Sequence, residues 1–467
     1  MSEYDVVVAG GGSAGCVLAS RLSENPDCSV CLVEAGPDYG PYDEGRWPAD
    51  MLNACELAFS HSWERNDPDD RSQLRARILG GCSAHNACAV LPGAPSDYDE
   101  WGPGWTAADL EPYLRRAETT IRTRRFAEDE IAPVNRALLE VARELGYPIL
   151  DDASEPRAGA GPFPVNAVGR IRWNAAFAYI DPARGRPNLT ILADTLVDRI
   201  LLEGRTTLVL AGGEELVART VVVAASAYGS PAILLRSGIG PESGLPVGEN
   251  LVDHPGVGAG WEATERLQSE TARFAQDHPV FMGGITFKAR SRACLEDLWD
   301  LHVFPATEPG KDELGHPTGS YELSAAVFAL KPQSRGRVTL ADPDPRTPPI
   351  VEHGFLSDPR DVSVLLDGLE LSRRLVSSEA MSVYTAGEVR PGLDVDPETY
   401  VRESVRGYFH PVGTCAIGSV VDGSGRVLGF DNLYVGDASV MPSIPRSNTN
   451  LSTLAVAEKI ADGIAAA

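Results

Sequence analysis

The first forty residues constrain the fold more than any other stretch of the chain. Asp5–Ala9 reads DVVVA, an unbroken apolar run of the kind shown by a strand buried on both faces of a parallel sheet. It leads into Gly10-Gly11-Gly12-Ser13-Ala14-Gly15, after which Ala14, Val17, Leu18 and Leu22 recur at helical spacing. A second apolar run, Val30–Val33, ends at Glu34. Strand, G-x-G-x-x-G turn, helix, strand and acid in that order make a dinucleotide-binding unit. Gly10 permits the tight turn, Gly12 lets a pyrophosphate reach the backbone, and Gly15 lets the helix pack on the strand. The helix N-terminus, carried by Ser13 and Ala14, faces the diphosphate, and Glu34 accepts from ribose hydroxyls. That acid disfavours a 2′-phosphate and hence NADP; FAD and NAD both remain open on this motif alone.

With 467 residues there is room for two to four domains. A net charge of −25 and a pI near 4.7 argue against a nucleic-acid partner. No apolar run approaches the roughly 20 residues of a membrane helix, so no membrane span is expected. The first residues, Met-Ser-Glu-Tyr-Asp, show no basic and apolar leader, and a cytoplasmic location is the expectation. Eight cysteines are scattered without a second pair or nearby histidine to complete a zinc site. Cys28 and Cys31 sit three apart at a strand and face opposite sides, so no metal site is expected.

Later strand-like runs fall at Leu189–Leu192, Ile200–Leu202, Leu208–Ala211, Leu216–Ala225, Gly284–Lys288 and Asn432–Val435. Helices are expected near Tyr228–Leu235, over Pro359–Val376 with Asp358 as its cap, and over Ser452–Ile464. A nucleotide-binding fold that starts at the N-terminus and regains strands near 190–225 and after 432 must be discontinuous. The fold class is therefore α/β (α+β): a Rossmann-like nucleotide-binding domain from 1–101, 188–255 and 406–467. A substrate domain and connecting helices from 102–187 and 256–405 are inserted into it.

The chain is similar to the glucose–methanol–choline (GMC) family of FAD-dependent oxidoreductases. The resemblance rests on Gly10–Gly15 with Glu34-Ala35-Gly36-Pro37, Leu79-Gly80-Gly81-Cys82-Ser83, and Gly229-Ser230-Pro231 with Ser237-Gly238-Ile239-Gly240-Pro241. It continues through Val247–Leu251 with Asp253-His254-Pro255, Ser334-Arg335-Gly336-Arg337-Val338, His410–Cys415, and Gly436–Pro442 with Asn448-Thr449-Asn450. It implies FAD as cofactor and a substrate domain built on an antiparallel sheet. Cofactor contacts are implied at Gly80, Gly81, Ser83, His85, Asn86, Ala87, Ala35, Val197, Asp437 and Ala438. The stretch Gly80–Cys88 most resembles the choline oxidases, in which the histidine matching His85 is bonded covalently to the flavin. Ala87 and Phe409 depart from that pattern by lacking a hydroxyl on the substrate side.

The resemblance implies oxidation of an alcohol by hydride transfer to flavin N5, with electrons passed to oxygen or another acceptor. His410 is the expected general base, because an imidazole with an ordinary pKa near 6.5 accepts a proton that an alcohol cannot release unaided. Asn450 is expected to be its partner, hydrogen-bonding the developing alkoxide. Glu262 follows Asp253-His254-Pro255 at about the spacing of the glutamate that holds a substrate ammonium in choline oxidases. It and Phe409 are the expected substrate contacts, which favours a cationic amino alcohol or amino sugar. His254 reads as structural, and His61, His278, His302, His316 and His353 as surface or core; Trp63 and Trp261 are pocket or core. A lyase of the hydroxynitrile lyase type, keeping FAD structurally, is the alternative activity.

Overall fold

The computed structural model describes residues 2–64, 71–202, 206–281, 284–294, 298–311 and 317–466; His316 lies outside them. In chain order the elements used below are β1 (Ser2–Ala9), α1 (Ser13–Leu22), β2 (Val30–Val33), α2 (Ala107–Thr120), α3 (Pro133–Glu144) and β3 (Gly159–Pro162). Then come β4 (Leu189–Leu192), β5 (Val197–Leu201), β6 (Thr207–Leu210), β7 (Glu215–Val223), α4 (Ser226–Arg236), β8 (Pro255–Ala263) and β9 (Ile285–Ala289). The rest are β10 (Leu301–Lys311), β11 (Pro317–Ala329), α5 (Pro359–Val376), β12 (Thr385–Arg390), β13 (Arg406–Gly407), β14 (Leu433–Val435) and α6 (Thr449–Ala465).

Seven strands form the first sheet in the order β4-β2-β1-β7-β6-β5, with β14 beside β7. Its core is parallel: Val6–Ala9 lie against Val30–Val33 and, on the other side, against Thr220–Val223. All four residues of β2 are buried, and α1 buries Val17, Leu18 and Leu22 against the sheet, as the apolar runs require. The second sheet, β12-β8-β11-β10-β9-β3 with β13 beside β8, is antiparallel throughout. Helix α5 covers it, and Asp358 caps that helix by accepting from the Arg360 N–H. No helix of the described residues is long and apolar enough to cross a membrane.

The expected division of the chain needs two adjustments. Helix α2 packs on α6, and residues 176–180 pack on α1, so both belong with the first sheet although they fall inside 102–187. Arg406 and Gly407 pair with β8 of the second sheet, so the return to the nucleotide-binding layer begins after them.

Candidate active site

The turn after β1 is built for close approach. Gly10 has φ +108°, and a Cβ there would meet the Ala224 carbonyl oxygen at 2.6 Å. A Cβ on Gly15 would lie 1.8 Å from the Gly10 oxygen, so only glycine lets α1 start there. Gly12 is different: the nearest atom to its Cβ position is the Gly81 Cα, at 3.9 Å, and that direction opens into a cavity of about 1340 Å³ shared by the two sheets. Helix α1 begins at this point with no side-chain cap and no acid in its first turn, leaving its N–H groups for an anion. Glu34, at the end of β2, is buried; its two carboxylate oxygens accept from the Gly11 and Gly36 N–H groups, both at 2.8 Å. Burial pushes its pKa up to about 7 against those two donors.

These features fit an FAD. The cavity wall includes Gly10, Gly12, Ser13, Ala14, Glu34, Ala35, Val197, Asp437 and Ala438, together with Gly81, His85, Asn86 and Ala87. Gly15, Gly80 and Ser83, expected as cofactor contacts, stand behind the wall. Ser83 Oγ donates to the Gly80 oxygen and accepts from the Ala175 N–H, fixing the turn instead. Asp437 accepts from Ser226 N–H and Ser230 Oγ, tying the end of β14 to α4. Burial works against ionising the wall thiol of Cys82, but the His85 imidazole and the Arg75 guanidinium bring its pKa down to about 6.

The other end of the cavity is aromatic. Phe163, Phe304 and Phe328 line it together with Tyr408 and Phe409. Phe328 and Tyr408 stack with centroids 3.5 Å apart, Phe304 lies 6.0 Å from Tyr408, and Phe163 lies 5.5 Å from Phe304. Phe409 has φ +65°, a left-handed conformation uncommon for a bulky residue, and the bend it makes aims His410 at the cavity. Asp253 anchors that bend: its Oδ1 accepts from the His410 N–H at 3.0 Å and the His254 N–H at 2.7 Å. Burial pushes the Asp253 carboxyl up to about 6.

The His410 ring has two partners. Its Nδ1 is 3.1 Å from Nδ1 of His254, and its Nε2 is 3.3 Å from Nδ2 of Asn448. Burial, helped by His254, Arg75 and His302, drives its pKa well below the usual histidine value, so the ring is neutral at pH 7. Donor atoms of Asp253, His254 and His410 gather within 4.8 Å of one another. Both nitrogens of His254 are committed to Pro445 and His410, which makes the trio a hydrogen-bond network rather than a metal cage.

Two expected roles are corrected. Asn450 does line the cavity, but its Oδ1 accepts from Ser13 Oγ at 2.8 Å, and the asparagine that meets His410 is Asn448. The cause is the start of α6, which begins at Thr449 rather than Ser452. Asn448 becomes the N-cap residue facing His410, and Asn450 enters the first turn facing the glycine turn. Glu262 is exposed and outside the cavity wall. Along β8 Trp261 points into the core of the second sheet, so the next side chain points to solvent. Of the remaining candidates, Trp63 lines the cavity, His61 pairs with the Tyr39 hydroxyl at 2.7 Å, and His302 is fully buried beside Phe304.

Three contributors were missed from sequence. Asn448 carried a usable signal, an asparagine just before a helical apolar pattern. His254 and the cavity-lining Arg75 carried none, because their partners are distant in sequence; His254 and His410 are 156 residues apart.

Two models described as GMC oxidoreductase match residues 4–256 and 332–457. Oxygen-dependent choline dehydrogenase from Pectobacterium carotovorum is 32% identical, with 99% of this chain and 94% of that protein covered. The enzyme of the same name from Pseudomonas aeruginosa is likewise 32% identical at the same coverage. Among solved structures, pyridoxine 4-oxidase from Mesorbium loti superposes with a TM-score of 0.85 at 28% identity over 98% of both chains. A formate oxidase variant from Aspergillus oryzae gives 0.84 at 23% identity over 100% of this chain and 98% of that one, a likeness of fold.

Proposed function

The chain belongs to the GMC oxidoreductase family and is an FAD-dependent alcohol oxidoreductase, and from that premise we propose that it oxidises a neutral aromatic or heteroaromatic alcohol with His410 as the base. The observation that carries the reading is the ring-lined chamber around His410 and Asn448. Among the described residues no carboxylate lines the cavity beside those rings; the Asp253 carboxylate stands behind His410, outside the wall, and is taken up by the His410 and His254 N–H groups. Glu34, Asp194, Glu214 and Asp437 reach the cavity from the nucleotide sheet, Glu64 is exposed next to Trp63, and Glu262 lies outside. A cation would find no counter-charge there, whereas a flat ring finds Phe304, Phe328 and Tyr408. The likeness to pyridoxine 4-oxidase points the same way, while the choline dehydrogenase relatives favour a cationic alcohol.

Bound FAD supplies the hydride acceptor. His410, neutral because it is buried, takes the alcohol proton at Nε2. The Asn448 amide N–H, at 3.3 Å from that nitrogen, also reaches the alcohol oxygen and stabilises its developing negative charge. Phe304, Phe328 and Tyr408 hold the substrate ring and exclude water. His85, on the cavity wall, is the residue we assign to covalent flavin attachment. Acid precipitation should leave that flavin on the protein, and release of all colour into the supernatant would refute the link. Oxygen or another acceptor then takes the electrons.

An anaerobic screen of the purified flavoprotein tests the substrate reading. Benzylic and pyridyl alcohols should bleach the oxidised-flavin absorbance at lower concentration than choline. Efficient bleaching by choline but not by aromatic alcohols would overturn it, and no bleaching by any alcohol would favour the lyase reading.

A further inference from the structure

His254 is fully buried, and burial lowers its pKa to about 3, so its ring is neutral and carries one N–H. Its Nε2 lies 3.1 Å from the Pro445 carbonyl oxygen. A carbonyl only accepts, and of the two backbone carbonyls that bond this ring, Pro445 and Leu330, Pro445 is the stronger partner and faces Nε2; the hydrogen therefore sits on Nε2 and Nδ1 is bare. That bare Nδ1 faces His410 Nδ1 at 3.1 Å. Two lone pairs cannot share that distance favourably, so His410 must carry its own hydrogen on Nδ1. Its Nε2 is then bare, beside the Asn448 amide and open to the cavity.

We propose that His254 is a positioning residue that fixes the tautomer of His410, the Pro445 carbonyl setting the first ring and the first ring setting the second. The proposal rests on the reading of His410 as the base. It adds that His410 is competent only because a residue 156 positions away, outside the cavity wall, leaves Nε2 unprotonated. When the alcohol proton arrives at Nε2, the Nδ1–H stays where it is and donates to His254 Nδ1. That bond also stabilises the imidazolium, as an orienting group does in the serine protease triad, where leaving the histidine in the wrong tautomer costs roughly 10⁴-fold in rate. No proton or electron passes through His254.

The test has two arms on the FAD-loaded enzyme. Histidine-selective ¹⁵N NMR, with His410 assigned by loss of its signals in His410→Gln, should show a protonated Nδ1 and an unprotonated Nε2. A protonated Nε2 would overturn the proposal without reference to catalysis, so it separates this failure from a failure of the base assignment. In the second arm, His254→Leu removes the acceptor and should slow anaerobic flavin reduction by at least about 10²-fold at unchanged FAD content. His254→Asn places an amide oxygen near the lost Nδ1 and should recover most of the rate. Reduction by His254→Leu at the parental rate, or by His254→Asn no faster than by His254→Leu, would count against the proposal. Should His254→Leu fail to fold, the NMR arm decides.

Discussion

The two ends of the cavity are built by opposite means. The nucleotide end is local: β1, the glycine turn, α1, β2 and Glu34 follow one another within 33 residues, Ser2 to Glu34. Its specificity lies in absent side chains, with a Cβ excluded at Gly10 and Gly15 and its place left open at Gly12. The chemical end is assembled from afar. Asp253 with His254, His410, and Pro445 with Asn448 come from three separate loops, and Phe163, Phe304 and Phe328 from three further places in the chain. Its specificity lies in side chains that are present and oriented. A local site can be read from spacing, whereas an assembled one depends on how each loop enters and leaves its neighbours.

The comparison predicts different failures at the two ends. Gly12→Leu fills space that only ligand would occupy, so the chain should fold and lose essentially all FAD, seen as a colourless protein with an unchanged far-UV spectrum. Gly15→Leu should instead fail to fold, since its Cβ would overlap the Gly10 carbonyl. A yellow, fully loaded Gly12→Leu would erase the distinction between glycines that fit the fold and the one that fits the ligand.

At the chemical end, Asn448→Ala should slow flavin reduction by about 10²-fold, the usual loss of one donor to a developing oxyanion. Asn450→Ala, which gives up only the Ser13 contact, should slow it by less than about tenfold. The reverse order would restore Asn450 as the partner of His410. The smallest effect belongs to Glu262→Gln: on an exposed strand face, it should change the KM for any alcohol by less than about twofold, and a large rise would bring the carboxylate back into the site.

This asymmetry explains what the sequence allowed. The buried β1 and β2, the glycine turn, Glu34 and the capped α5 were legible because each is fixed by neighbours in the chain. The resemblance singled out His410, which lines the cavity, while the asparagine that meets its ring stands two positions before the one expected. The apolar pattern of α6 is strong from Leu454 onward and weak in its first turn, where Thr449 and Asn450 are helical because Asn448 stands at the N-cap. Glu262 was misread because spacing from a motif does not determine which face of a strand a residue takes, and a one-residue difference reverses it. The His254–His410 contact is set by the Pro445 loop, the Asp253 bridge and the bend at Phe409 together, none of which any local pattern announces.

The chemistry of the assembled end turns on His410 as the base. Stopped-flow reduction of the flavin by an aromatic primary alcohol under anaerobic conditions, comparing the parent enzyme with His410→Ala, measures that role alone. The predicted result is an unchanged FAD content with reduction slowed by at least about 10²-fold, the low end for a lost general base. Because burial holds the His410 pKa below the usual value, the parental rate should stay flat from the ordinary histidine range upward and fall only at lower pH, as the ring takes up a proton. Reduction of His410→Ala at close to the parental rate, with FAD bound, would contradict the account.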